Sequence, residues 1–147
     1  MTPITGTIEI ARPVQDVFDY VADIKRQGEW QESIVSVEVE TDGPTRVGTR
    51  AVQTRHVPGG NRSFPYEVTE HDPPKRTSFR VTGGPVRPVG SMTFTSLDNG
   101  TRTRIDFQME FHGHGLGVLL LPLVLRDARR EVPQNLSALK DRLESDS

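Results

Sequence analysis

Arg55 and Tyr66 are the residues of this 147-residue sequence whose types best suit joint work on a polar group of a ligand. Val47, Thr49, Ala51, Gln53, Arg55 and Val57 share one phase of an extended segment; Gly48, Arg50, Val52, Thr54 and His56 share the other. The first phase has more apolar members, so it is the expected inward face, carrying Gln53 and Arg55 with it. A guanidinium turned inward must be paired or bind an anion. With Tyr66 beside it, such a group can hold a carbonyl or enolate oxygen. The plain alternative leaves Arg50, Arg55 and His56 solvated on a twisted or edge strand.

Other chemistry-bearing residues give weaker patterns. His112 and His114 are two apart, so in a strand both rings face one way and could reach one ion. His112 falls on the polar phase of its segment and no third ligand is placed near it, so surface histidines are expected and no metal site. Asp16, Asp19 and Asp23 recur at helical spacing opposite an apolar face, with Glu29 and Glu32 following. A solvated helix face fits them better than acid–base work, which needs a desolvated carboxyl. Arg126, Arg129 and Arg130 cluster near Asp127 and Glu131, where local pairing is the plain expectation and a headgroup or anion contact at a cavity mouth the sharper one. Gly59-Gly60 and Gly83-Gly84 lack the lysine and helix of a phosphate loop and read as hairpin turns, and no Gly-x-Ser-x-Gly elbow occurs.

The elements that must position these residues follow from periodicity. Ile4, Gly6, Ile8 and Ile10 alternate with polar residues as an opening strand; Val14, Val17, Phe18 and Val21 then form a helical face behind Pro13. Gly28 and residues 29–33 break that helix or begin a second short turn. Strands follow at Val35–Val39, Val47–Val57, around Phe64–Val68, at Phe79 and Val81, at Met92 and Phe94, and at Ile105–Phe111. Turn chemistry separates them, Asn99-Gly100 being the strongest hairpin signal. Residues 116 to about 144 have helical character, with an apolar stripe from Leu116 to Leu143. The stripe drifts by about half a turn from an ideal helix, so a bend or split at Pro122 or Pro133 is expected.

The order of elements predicts an α+β fold: a curved antiparallel sheet of about seven strands around a long C-terminal helix, with short helices after the first strand. A sheet of that size gripping a rod of about 40 Å leaves a volume between them. Its expected lining is Phe64, Tyr66, Phe79, Met92, Phe94, Phe107, Met109 and Phe111 from the sheet and Leu120 and Val124 from the helix, with Gln53 and Arg55 as polar members. Trp30 either caps this volume or anchors the helix pair. The plain alternative is a solid core.

Composition narrows the partners. Hydrophobic residues are 33% and charged residues 26% of the chain, with a formal net charge of -2, so no basic surplus draws it to nucleic acid. There is no cysteine, which excludes disulfides and thiolate chemistry and accords with a cytoplasmic location. The opening MTPITGTIEI does not read as a signal peptide, and the apolar run Leu116–Leu125 is about half the roughly 20 residues a membrane span needs. Stable membrane insertion is not expected; self-association as a homodimer is compatible with the chain.

Residues 10–23 (IARPVQDVFDYVAD), Trp30, residues 67–76 (EVTEHDPPKR), the Gly100-Thr101-Arg102 hairpin exit and the terminal Leu139-Lys140 together resemble the polyketide cyclase/dehydrase branch of the SRPBCC, or START-like, superfamily. The resemblance spans nearly all of residues 1–147 and implies a single START-like domain with a helix-grip fold and a deep hydrophobic cavity. Members include carriers, receptors and aromatase/cyclases, so it implies binding of a small apolar, lipid-like or polyketide-like ligand without naming a reaction. Arg55 and Tyr66 resemble the Arg–Tyr pairs of the family's cyclases, which makes a cyclase or dehydratase without metal, nucleotide or other cofactor the alternative to a carrier or sensor. A third reading, a protein-interaction module, calls for an exposed apolar patch near Leu116–Leu125. Pro133 departs from the unbroken last helix expected of such relatives.

Overall fold

Seven strands hydrogen-bond in one antiparallel sheet of order β1-β7-β6-β5-β4-β3-β2, so the first strand closes against the last and the second forms the opposite edge. The computed structural model describes residues 3–57 and 59–145. In chain order the elements are β1 (Ile4–Ile10), α1 (Val14–Ala22), a 3₁₀ segment (Ile24–Glu29), β2 (Ile34–Val39), β3 (Arg50–Val57), β4 (Gly60–Asp72), β5 (Arg76–Val81) and β6 (Val86–Leu97). After them come a 3₁₀ turn (Asp98–Gly100), β7 (Arg102–Gly113), a second 3₁₀ segment (Gly115–Leu120) and α2 (Leu121–Ser145). This is the expected α+β grip of a sheet on a C-terminal helix.

Alternation decides which face of the sheet α2 covers. Ile105, Phe107, Met109 and Phe111 of β7 stand opposite Ile8, Gly6 and Ile4 of β1 on one side and Phe94, Met92, Gly90 and Pro88 of β6 on the other. Ile105 is fully buried and Phe111 nearly so, while Arg104, Asp106 and Gln108 on the other phase are exposed. Val132, Leu136, Leu139 and Leu143 of α2 are buried in the same cluster, joined by Val17, Phe18 and Val21 of α1. Gly6 permits the close approach, since a Cβ there would stand 2.8 Å from Leu136 Cδ1. Fully burying each such aliphatic side chain contributes about 1.5–3 kcal/mol. Polar ties fix the end of the helix: Glu144 accepts from the Ala11 amide and from Lys140, each at 2.8 Å, and Arg142 donates to Glu29 at 3.1 Å, the same carboxylate oxygen that accepts from Tyr20 at 2.8 Å.

Three local expectations need correction. First, Pro133 does not split α2: the stretch expected to be helical from residue 116 changes from 3₁₀ to α just before Pro122, and α2 then runs from Leu121 to Ser145 with Pro133 inside it. The carbonyl that loses its donor there, on Arg129, belongs to an exposed residue, so water can satisfy it. Pro122 lies in the first turn, so it interrupts no hydrogen bond within α2. Second, Val35 is 56% exposed instead of inward, because a bulge between Ile34 and Ser36 shifts the pairing of β2 with β3 and hands the buried position to Ile34. Third, the regular strand begins at Arg50, three residues after Val47, which is 61% exposed; Gly48, at φ 90°, turns the chain into it.

Candidate functional site

α2 lies over β1 and β7, at one side of the sheet. The inner faces of β3, β4 and β5 extend beyond it, and there a second, smaller cluster forms from Ile24, Ala51, Tyr66 and Val81 with Phe64 and Phe79 packed beside it. The inward phase expected for β3 holds: Thr49, Ala51 and Gln53 are buried, and Arg55 is only 24% exposed. Register places Ala51 opposite Tyr66 and Gln53 opposite Phe64, so Arg55, Gln53 and Tyr66 project from one face of adjacent strands.

These polar groups form one hydrogen-bonded chain. Tyr66 donates its hydroxyl to Gln27 Oε1 at 3.3 Å, and Gln53 Nε2 donates to the same oxygen at 2.6 Å. Gln53 Oε1 in turn accepts from Arg55 Nε at 3.1 Å. The guanidinium continues outward, donating to Ser33 Oγ at 2.8 Å and to Gln31 Oε1 at 2.7 Å. Across the opening, Glu131 of α2 accepts from Ser33 Oγ at 2.6 Å and stands 3.8 Å from Arg55 Nη1. The 3₁₀ segment and the loop after it supply Gln27, Gln31 and Ser33; Asp23 starts that segment by accepting from the Lys25 amide.

Burial raises the Tyr66 hydroxyl well above the ordinary tyrosine value, against smaller opposing effects of Gln53 and Arg55. The phenol is therefore a neutral donor across the physiological range. Desolvation also pulls the Arg55 guanidinium below its ordinary value, while the Glu131 carboxylate and Tyr66 favour its charged form. A donor hydroxyl and a guanidinium on one apolar wall suit an oxygen acceptor such as a carbonyl or carboxylate.

The other expected lining residues divide into two groups. Phe64, Phe79, Phe107, Met109 and Val124 face inward, packed against the two clusters, yet keep part of their surface accessible. Gly90 makes room for one of them: a Cβ there would meet the Phe79 ring at 2.5 Å, so its absence lets the ring lie across β6. Met92, Phe94 and Phe111 are instead buried in the main core, where Phe94 packs edge-on to Phe18 with centroids 5.1 Å apart. Trp30 joins the same core, so it anchors the helices, and its buried indole nitrogen has no acceptor among the described residues. Leu120 was expected inward and is 43% exposed, because the chain is in a 3₁₀ segment there and α2 begins one residue later. Two open concavities of about 410 and 580 Å³ lie elsewhere, one at the β1 edge beside Lys140 and one on the sheet face opposite the helix around Thr93 and Asp106.

His112 is exposed, 3.8 Å from Glu110, and Asp16 and Asp19 lie on the exposed face of α1. Among the described residues no three His, Asp or Glu side chains come together in a manner suited to a metal ion. No described helix is long and apolar enough to cross a membrane.

Gln27, Gln31, Ser33 and Glu131 were not singled out from the sequence. The first three become site residues only through the fold of a short, irregular segment. Glu131 carries a readable signal, since it follows Leu121, Val124 and Ala128 at helical spacing as the one carboxylate on that inner stripe.

The architecture has close counterparts. The Zhui aromatase/cyclase from Streptomyces sp. R1128 superimposes with a TM-score of 0.83 at 16% identity, covering 97% of this chain and 93% of that one. A START superfamily protein from Mycobacterium smegmatis gives 0.79 at 14% identity over 99% of each. In sequence, an uncharacterised 17.2 kDa protein of Streptomyces lincolnensis is 27% identical over 112 residues, 76% of this chain and 70% of that one. The family described as polyketide cyclase / dehydrase and lipid transport matches residues 1–144, and the chain belongs to that family.

Proposed function

We propose that the protein binds a small, largely apolar ligand bearing one oxygen acceptor, in the space between the inner faces of β3–β6 and the first turns of α2, as a carrier or sensor. The observation that carries this reading is the single polar row Tyr66–Gln27–Gln53–Arg55 on a wall otherwise made of Phe64, Phe79, Phe107 and Met109. Apolar walls with a few convergent polar groups are the usual make-up of a small-molecule site. Arg55 holds the acceptor, joined by Tyr66 once its hydroxyl turns from Gln27 to the ligand; the aromatic and methionine side chains adapt to the body of the ligand. Family membership supports the same reading, and the absence of cysteine accords with a cytoplasmic setting.

Turnover as a polyketide cyclase or dehydratase is the second reading, favoured by the joint inward placement of Arg55 and Tyr66 and by the likeness to an aromatase/cyclase. Arg55 and Tyr66 can polarise a carbonyl but neither accepts a proton at neutral pH, and the one carboxylate joined to them, Glu131, is held by Ser33 and Arg55. The row therefore suits binding better than proton abstraction.

Mass spectrometry of organic extracts of the natively purified protein tests the proposal. A reproducible apolar compound carrying a carbonyl or carboxylate, depleted in Arg55→Gln protein, is the expected result. Extracts identical to those of a control protein, together with failure of added apolar acids to bind, would overturn it.

A further inference from the structure

The segment joining β7 to α2 presents its leucines to solvent. Leu116 and Leu119 are 81% and 76% exposed, Leu120 and Leu123 43% and 48%. This exposure is built in. Gly117 packs so tightly on the Pro85 carbonyl that no Cβ fits, Gly113 would place one 2.8 Å from the Val118 backbone, and the His114 amide donates to Pro85 at 2.8 Å. Leu121, Val124 and Leu125 take the inward positions, leaving the other leucines as an outer face.

Charge continues that outer stripe. Arg126 and Arg130 follow Leu123 at i+3 and i+7, about 5 and 10 Å further along the helix, and both are exposed. Arg130 lies 3.7 Å from Asp127; Arg126 has no ion pair among the described residues. We propose that this apolar tip docks the protein on an anionic phospholipid surface, the leucines entering the boundary of the acyl chains while Arg126 and Arg130 meet the phosphates. The depth order, apolar first and cationic one to two turns behind, matches an interface whose headgroups lie above its hydrocarbon.

The surface is separate from the Arg55–Tyr66 row, so one experiment distinguishes them. Purified protein is co-sedimented with vesicles of phosphatidylcholine alone and of phosphatidylcholine mixed with phosphatidylglycerol, and its state without lipid is measured by sedimentation velocity. Expected is salt-sensitive binding to the mixed vesicles, weakened about tenfold or more by Leu119→Asp and comparably by Arg126→Glu with Arg130→Glu. The compound recovered in organic extracts and the far-ultraviolet circular dichroism, which report the interior site and the fold, stay unchanged in these variants. No sedimentation with either vesicle, binding indifferent to the tip substitutions, or a lipid-free dimer that Leu119→Asp dissociates would each overturn the proposal.

Discussion

Arg55 on β3 and Glu131 on α2 stand 3.8 Å apart, and Ser33 hydrogen-bonds to both, so sheet, loop and helix meet at one charged point. Both side chains are mostly withdrawn from solvent, at 24% and 30% exposure. Removing the carboxylate strips the guanidinium of its counter-charge and frees it for a ligand. Glu131→Gln is expected to destabilise by about 1–2 kcal/mol, between the surface and buried limits for ion pairs. The same variant should bind apolar carboxylates more tightly; denaturant unfolding and ligand titration on one preparation check both signs.

The phase of β7 gives a sharp contrast between neighbours. Ile105 is fully buried, whereas Asp106 faces solvent and pairs with exposed Arg104 at 3.1 Å. Ile105→Ala should cost about 2–5 kcal/mol; Asp106→Ala should stay within about 0.5 kcal/mol. Urea midpoints of the two variants test the register, and a reversed order would mean the faces are exchanged.

Pro133 sits in an unbroken helix at an exposed position. Replacing it by alanine restores an amide donor toward the Arg129 carbonyl and removes the ring. Pro133→Ala is expected to raise stability by about 1–2 kcal/mol, part of the interior-proline penalty being offset by the freer unfolded chain. Thermal unfolding measures the gain.

Glu144 links α2 to the exit of β1, and its bonds from Lys140 and the Ala11 amide hold its carboxyl below the ordinary value of 4.5. A carboxyl with a depressed folded value stabilises above the unfolded value, and that contribution is lost as pH falls through the folded one. Glu144→Gln should therefore be less stable than the parent at neutral pH, by at most about 1 kcal/mol for so exposed a pair. The difference should shrink once the pH falls below about 4, which paired denaturation curves across acid pH can follow.

Much of this architecture was legible because period-2 alternation survives wherever a strand has one wet face. β7 and β1 read directly for that reason, and β3 revealed its inward phase even with arginine on it. The bulge in β2 did not read, since Val35, Val37 and Val39 alternate without fault in sequence and only pairing with β3 exposes the slip. The stripe drawn from Leu116 through Leu120 misread the segment before α2: apolar residues surround the axis there, Leu116 and Leu120 are exposed, and backbone packing of Gly117 on Pro85 decides which side faces in. For the site, the sequence supplied Gln53, Arg55 and Tyr66. Their partners Gln27, Gln31 and Ser33 come from an irregular segment whose side-chain directions carry no period.

The proposed interior site encloses an apolar body and holds one oxygen acceptor through Arg55 and Tyr66. Isothermal titration with 8-anilinonaphthalene-1-sulfonate, an aromatic apolar anion, tests it most directly on the parent protein, Arg55→Gln and Phe79→Ala. The expected result is saturable binding at one site with a negative heat-capacity change, weakened about tenfold by loss of the guanidinium and measurably by loss of the ring. Absence of saturable binding, or binding of equal strength in all three proteins, would contradict it.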